Sequence, residues 1–198
     1  MSGATVIVDS GGANLASLCF ALQRLGAAAE ICTDAAQIGR AARVILPGVG
    51  AAAPAMQRLR AAGLVPVLTG LRQPVLGICL GMQLLCRASE EGAALCLGLL
   101  PQKVRRLSVA PGLPVPHMGW NTLEGLKADP LLAGVRAGDY AYFVHGYALA
   151  PGASTLAHTE YGQALSAVVR HENFWGTQFH PERSAATGAR VLQNFLRL

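Results

Sequence analysis

Hydrophobic positions along the chain fall into two textures. In the first half, short apolar runs alternate with stretches of helical spacing. The β-branched run from Thr5 to Val8 predicts a first strand. Leu15, Leu18, Leu22 and Leu25 recur at helical intervals, so a helix is expected over 15–25, stopped by Gly26. A second strand over 28–32, a short helix capped by Asp34 and a third strand over 44–46 follow. Helices are expected over 53–61 and 65–71, then a strand over 75–78. From Leu80 the spacing is helical again, with Leu80, Leu84 and Leu85 on one side. This alternation predicts an α/β fold: a doubly wound, mostly parallel sheet flanked by helices.

After Gly92 the helical periodicity fades. Residues 103–107 predict a strand, 114–121 a rigid proline-punctuated segment, and 140–147 an aromatic strand. Residues 164–170 and 174–179 predict a hairpin around Glu172 and Asn173. A closing helix over 184–196 carries Val191, Leu192, Phe195 and Leu196 as its apolar stripe. The C-terminal portion is therefore expected to be more antiparallel. With no repeat and no linker, residues 1–198 are expected to form a single domain.

Composition narrows the function classes. Only 14% of residues are charged, and 16 basic against 11 acidic residues leave a mild net charge of +5. The basic residues are scattered apart from Lys103, Arg105 and Arg106, and no aromatic stripe accompanies them, which argues against nucleic acid. No basic leader and no long apolar run argue against secretion and against a membrane span. Five cysteines without a C-x-x-C pair suggest no zinc site and no disulfide framework. Cys19, Cys32, Cys86 and Cys96 read as core thiols, and the chain as reduced and cytoplasmic.

The candidate chemistry begins at Cys79. It stands where the strand turns into the helix, with Gly77 and Gly81 on either side. A nucleophile elbow has this pattern: glycines allow the sharp turn, and the side chain stands clear of the sheet. The helix N-terminus favours a thiolate, and the Leu80 amide follows where an oxyanion donor is needed. An isolated G-x-C-x-G equally fits an inert core thiol beside a tight turn. Two further segments bear on the choice. Pro47-Gly48-Val49-Gly50 forms a glycine-rich loop at the C-terminal end of the third strand, the edge where open α/β sheets bind ligands; ordinary turn chemistry also explains it. In Gln178-Phe179-His180-Pro181-Glu182, proline holds His180 extended, and Glu182 is close enough to grip one imidazole nitrogen. Cys79, His180 and Glu182 thus supply nucleophile, base and orienting group for acyl transfer. His117, His145, His158 and His171 compete for the base, and Glu182 also fits a helix-start carboxylate.

With these segments in hand, the chain resembles class I, triad-type glutamine amidotransferase domains. Within them it is most similar to the glutaminase subunits of imidazole glycerol phosphate synthase. The elbow and the His-Pro-Glu segment carry the broader resemblance. The match also runs through Asn14-Leu15, Leu46–Gly50, Val115–Asn121 and Tyr142–Tyr147, and within it Pro47–Gly50, Pro116–Asn121 and Phe143–His145 carry the closer one. The resemblance implies a Cys79 thioester, His180 as proton carrier, and hydrolysis of glutamine to glutamate and ammonia. It implies oxyanion donors at Leu80 and at Val49 in the Gly48–Gly50 loop. Gln83, Glu91 and the backbone of Gly146 and Tyr147 would hold the substrate's polar ends, with Glu90 the competitor of Glu91.

The resemblance further implies a heterodimer with a (β/α)8-barrel cyclase that uses the ammonia in histidine biosynthesis, and no cofactor or metal. Asn14, Trp120, Tyr142 and Arg183 would lie near that interface, although from the residues alone Trp120 and Tyr142 read as core aromatics. Ser10, Ala13, Ala52, Gly146 and Arg183 depart from the family's usual residues. Two other readings remain: a glutaminase serving a different synthase, and a non-catalytic interaction subunit.

Overall fold

The computed structural model describes residues 4–9, 15–108 and 112–198. Asn14, with the departures Ser10 and Ala13, lies outside the described residues.

The first half follows the predicted alternation: β1 (Thr5–Val8), α1 (Leu15–Arg24), β2 (Ala29–Cys32), α2 (Ala35–Arg40), β3 (Arg43–Gly48), α3 (Ala52–Ala61), α4 (Leu64–Gly70), β4 (Val75–Cys79) and α5 (Leu80–Leu84). Asp34 caps α2 as expected, its carboxylate accepting from the Gln37 amide at 2.7 Å. Pro54 and Pro66 sit in the first turns of α3 and α4, where a missing N–H is no loss.

The second half runs β5 (Cys86–Ser89), β6 (Ala94–Leu95), β7 (Leu100–Arg106), β8 (His117–Thr122), β9 (Tyr140–His145), β10 (Tyr147–Ala148), β11 (Thr155–Glu160), β12 (Ala164–His171), β13 (Phe174–Thr177) and α6 (Ala185–Phe195). The texture change comes earlier than Gly92. Helix α5 lasts only five residues and gives way to β5 at Cys86. The proline-punctuated segment contains a strand, β8, paired antiparallel with β9 from His117↔His145 to Thr122↔Tyr140.

Seven strands form the main sheet in the order β11-β12-β13-β4-β3-β1-β2. Strands β2, β1, β3, β4 and β13 run parallel, and β12 and β11 add antiparallel pairing at one edge. The 164–179 hairpin forms as expected, with Glu172 at φ 52 in its turn. A four-stranded sheet, β10-β7-β5-β6, and the β8–β9 ribbon stand apart from the main sheet.

Strand alternation divides the core. Val6, Val8, Val44 and Leu46 belong to the cluster that contains Met56, Leu59 and Leu68 of α3 and α4. Ile7, Ile45, Leu76 and Ile78 belong to the opposite cluster, with Leu18, Leu22, Phe143, Phe179, Val191 and Phe195. Successive residues point to opposite faces, so a sheet covered on both sides requires continuous apolar strands. Cys32 and Cys86 are buried as expected, but Cys19 and Cys96 are only half-buried. Among the described residues, no helix is long and apolar enough to cross a membrane.

Candidate active site

Strands β3, β4 and β13 are neighbours, and each ends in a segment singled out above. At the end of β4, Cys79 adopts φ 52, ψ −109, a left-sided conformation that costs energy in a residue with a side chain. The glycines beside it are sterically required. A Cβ on Gly77 would come 2.7 Å from the Met82 nitrogen, and one on Gly81 would overlap the Leu46 carbonyl oxygen. Gly48 lets β3 pass beside the elbow, where an added Cβ would sit 3.0 Å from Leu80 Cβ.

His180 Nδ1 meets Glu182 Oε1 at 2.9 Å, and both side chains are largely buried. Burial opposes a charge on His180. It is outweighed by hydrogen bonds to Cys79 and Glu182 and by their negative charge, so the imidazole pKa is pushed up to about 10. The site therefore favours an imidazolium between a sulfur and a carboxylate. Ser184 holds this arrangement in place: its hydroxyl donates to the His180 carbonyl at 2.7 Å and accepts from the Tyr142 amide at 2.9 Å. The His180 amide donates to the Tyr142 carbonyl at 3.0 Å.

A cavity of about 160 Å³ opens over Cys79, lined by Leu80, Gln83, Glu91, His180 and the Val49–Gly50 and Val144–Tyr147 segments. That is smaller than the roughly 300 Å³ of a pocket for a drug-sized ligand and leaves room only for a small one. Gln83 is buried, and its Nε2 donates to the Tyr147 carbonyl at 2.8 Å and to Gln178 Oε1 at 3.0 Å. Both amide hydrogens are thereby committed, which leaves Oε1 as the group it can offer a ligand. Glu91 also faces the cavity. Burial raises its pKa, and an accepted hydrogen bond from the Ala52 amide, 3.0 Å away, opposes the rise. Ala52 is the first residue of α3, so Glu91 also satisfies a helix-start donor. Glu90 points elsewhere, to Lys103 at 3.3 Å and the Arg106 amide at 3.1 Å. Gly146 is not sterically required, since a Cβ there would meet only Val115 Cγ1 at 3.6 Å.

Trp120 and Tyr142 correct the core reading. Trp120 is 52% exposed and Tyr142 half-buried. Their rings meet edge to face at 5.8 Å, and the exposed Arg183 lies 5.1 Å from the Tyr142 centroid. They form one surface beside the His180 segment.

Sequence reasoning missed Gln178, Ser184 and Val144. Gln178 Nε2 lies 3.7 Å from Cys79 Sγ, and the Val144 carbonyl oxygen lies 3.6 Å from the same sulfur. A glutamine immediately before Phe-His-Pro, in an otherwise apolar strand, was the available signal for the first. The competing histidines separate clearly: His117 and His145 are buried, whereas His158 lies near Glu160 at 3.6 Å.

A model of the family described as glutamine amidotransferase class-I matches residues 6–198. The chain belongs to that family. Among curated relatives of this amidotransferase, the imidazole glycerol phosphate synthase subunit HisH of Xanthomonas euvesicatoria pv. vesicatoria (strain 85-10) is 55% identical over 192 residues, 97% of this chain and 96% of that protein. The subunit HisH of Xylella fastidiosa (strain Temecula1) is 54% identical with the same coverage. Two solved glutamine amidotransferase structures share the fold. One has a TM-score of 0.75 at 20% identity, covering 98% of this chain and 97% of its own. The other, from Thermotoga maritima, has a TM-score of 0.66 at 16% identity, covering 98% and 83%.

Proposed function

We propose that this amidotransferase is the glutaminase subunit of an imidazole glycerol phosphate synthase, hydrolysing glutamine and passing the ammonia to a cyclase subunit in histidine biosynthesis. The observation that most directly supports the chemistry is Cys79 on its strained elbow within hydrogen-bonding reach of the His180–Glu182 pair. The high identity to HisH subunits over nearly the full chain supports the pathway.

In this reading Cys79 Sγ, as thiolate, attacks the side-chain carbonyl carbon of glutamine. The developing oxyanion takes hydrogen bonds from the Leu80 amide and from Val49 N–H after its peptide turns; Gly48 and Gly50 flank that peptide, and Gly50 already has φ +87. The His180 imidazolium delivers its proton to the leaving nitrogen, and ammonia departs. Water, deprotonated by His180, then attacks the γ-glutamyl thioester; the adduct collapses, expelling Cys79 as thiolate beside the His180 imidazolium, and the freed carboxyl loses its proton to solvent as glutamate. Glu182 keeps the ring oriented and stabilises its charged form.

Glu91 supplies a carboxylate for the substrate's ammonium, and the Gly146–Tyr147 backbone supplies donors for its carboxylate. Residues 1–198 work as one domain, without metal or cofactor, in the cytoplasm. The partner is a (β/α)8-barrel cyclase in a heterodimer, docked across Trp120, Tyr142 and Arg183.

The test is glutamate release from glutamine by the chain alone, with the cyclase subunit, and with cyclase plus its nucleotide ligand, with Cys79→Ser as control. Low activity alone and strong Cys79-dependent stimulation by the loaded partner are expected. A folded mixture with no Cys79-dependent glutamate release overturns the reading.

A further inference from the structure

The proposed reaction leaves two buried histidines without a role. His117 and His145 face each other across the β8–β9 ribbon, at 3% and 5% exposure, and His145 borders the cavity over Cys79. Their hydrogen bonds form a chain whose proton positions can be worked out from both ends.

At the outer end, Asn121 Oδ1 accepts from the Thr122 amide at 2.8 Å, which fixes the orientation of the side-chain amide. Its Nδ2 donates to the Glu160 carbonyl at 2.8 Å and reaches His117 Nε2 at 3.3 Å. Because Nδ2 can only donate, His117 Nε2 is the accepting nitrogen, and the ring proton sits on Nδ1. His117 Nδ1 meets His145 Nε2 at 3.1 Å and must be the donor there. The His145 proton is then on Nδ1, 2.9 Å from the Tyr147 carbonyl. A carbonyl only accepts, so the inner end independently requires the same assignment.

The rings are held as well as bonded. His117 is stacked between Phe143, with centroids 5.0 Å apart, and Tyr161, at 4.0 Å. Tyr161 is itself anchored by its hydroxyl to the Pro114 carbonyl at 2.7 Å. Desolvation lowers the pKa of both imidazoles, to about 4 for His117 and about 3 for His145, and keeps them neutral. With Asn121 Nδ2–H filling the first gap, the two ring protons of a neutral pair fill the other two, so the order of donors is locked.

The Tyr147 carbonyl at the end of the chain also accepts from Gln83 Nε2 at 2.8 Å. On the other side of the strand, the Gly146 carbonyl accepts from the Leu107 amide at 2.9 Å. The Gly146 and Tyr147 carbonyls are therefore both taken by protein donors. The Tyr147 N–H points to the same side as its carbonyl in an extended strand, so this strip offers a ligand donors rather than acceptors. That suits an anionic group such as a carboxylate.

We propose that His117 and His145 are positioning residues for the glutaminase reaction: the Asn121–His117–His145 chain pins the Tyr147 peptide so that its N–H stays aimed at the substrate carboxylate. This rests on the glutaminase reading above, and the tests separate the two. The first measurement is the tautomeric state of both rings in the wild-type chain, read from long-range proton–nitrogen correlations. Both rings are expected with the proton on Nδ1, and Nε2–H on either ring overturns the chain whatever the activity.

The second is steady-state glutaminase kinetics of the complex with the cyclase subunit. His117→Phe, which keeps the stack and removes the donor, is expected to raise KM for glutamine about tenfold, the scale of one lost hydrogen bond, while kcat stays within about twofold. His117→Asn, whose Nδ2–H still points towards His145, is expected to recover most of that loss. An active complex in which both variants keep the wild-type KM overturns the positioning role alone. A wild-type complex that releases no glutamate overturns the reaction reading instead.

Discussion

Gly81 lies so close against the Leu46 carbonyl that a single added methyl group would overlap the oxygen. The obstacle is backbone on a central strand, which no rotamer change can clear. Gly81→Ala is therefore expected to destabilise the chain by roughly 3 kcal/mol, the upper range for overpacking. Urea unfolding followed by circular dichroism checks this. A midpoint unchanged from wild type would mean that the elbow and β3 separate more easily than their packing implies.

His180 gives stability a pH signature. Its pKa is raised from 6.5 to about 10, so its contribution is fully present below pH 6.5 and fades as pH rises through 10. Glu182→Gln removes one of the charges responsible. The variant is expected to lose less melting temperature than wild type between pH 7 and pH 10, and to lose at least about 100-fold in kcat, a floor set against the roughly 10⁴-fold cost of the same change in a serine triad. Parallel melting curves across that window would show that Glu182 does not sustain the imidazolium.

The neutral histidines act in the opposite sense. His117 and His145 have pKa values depressed to about 4 and about 3, so the unfolded chain takes up protons first as pH falls below 6.5. Stability is expected to decline from that point towards pH 4, and His117→Phe should flatten part of the decline. In proton NMR the two rings should keep constant shifts down to about pH 5, well below the ordinary imidazole range. Titration of either ring near 6.5 contradicts their burial as neutral groups.

Trp120 and Trp175 report on different places, since one is 52% exposed and the other 5%. Binding of the cyclase subunit across the Trp120–Tyr142–Arg183 surface should shift Trp120 emission to the blue. Trp120→Ala should weaken the complex by about 2 kcal/mol, the scale of an interface anchor, and leave the melting temperature of the free chain unchanged. Unaltered affinity would place the docking surface elsewhere.

Legibility of this chain in its sequence tracks how local the determining interactions are. The elbow, the His-Pro-Glu segment and the first four strands are written in adjacent residues: glycines about a cysteine, a proline after a histidine, β-branched runs. The β11 strand and the β5–β6 pair were not read, because strands of two to six residues, such as Cys86–Ser89 and Ala94–Leu95, are too short and mixed in polarity to show an alternating pattern, although their partners lie nearby in the chain. The exposure of Trp120 was also hidden. Its alternation with the buried His117 and Phe143 is visible only once β8 and β9 are known to be paired. Gln178 and Ser184 act through contacts with residues 99 and 42 positions away, which no short pattern records.

Because β3, β4 and β13 lie side by side, the proposed oxyanion loop, nucleophile and base are set apart by the pitch of a sheet, roughly 4.8 Å from strand to strand. That ruler does not depend on the length of the connections between them. Connecting loops within the long excursion from Cys79 to Phe174 can change length without moving these residues, provided that Tyr142 and Val144 keep their places beside His180 and Cys79. A slip of one residue in β13 would turn His180 to the other face and leave the cysteine without its base. The reaction centre is thus insulated from loop evolution and exposed to strand register.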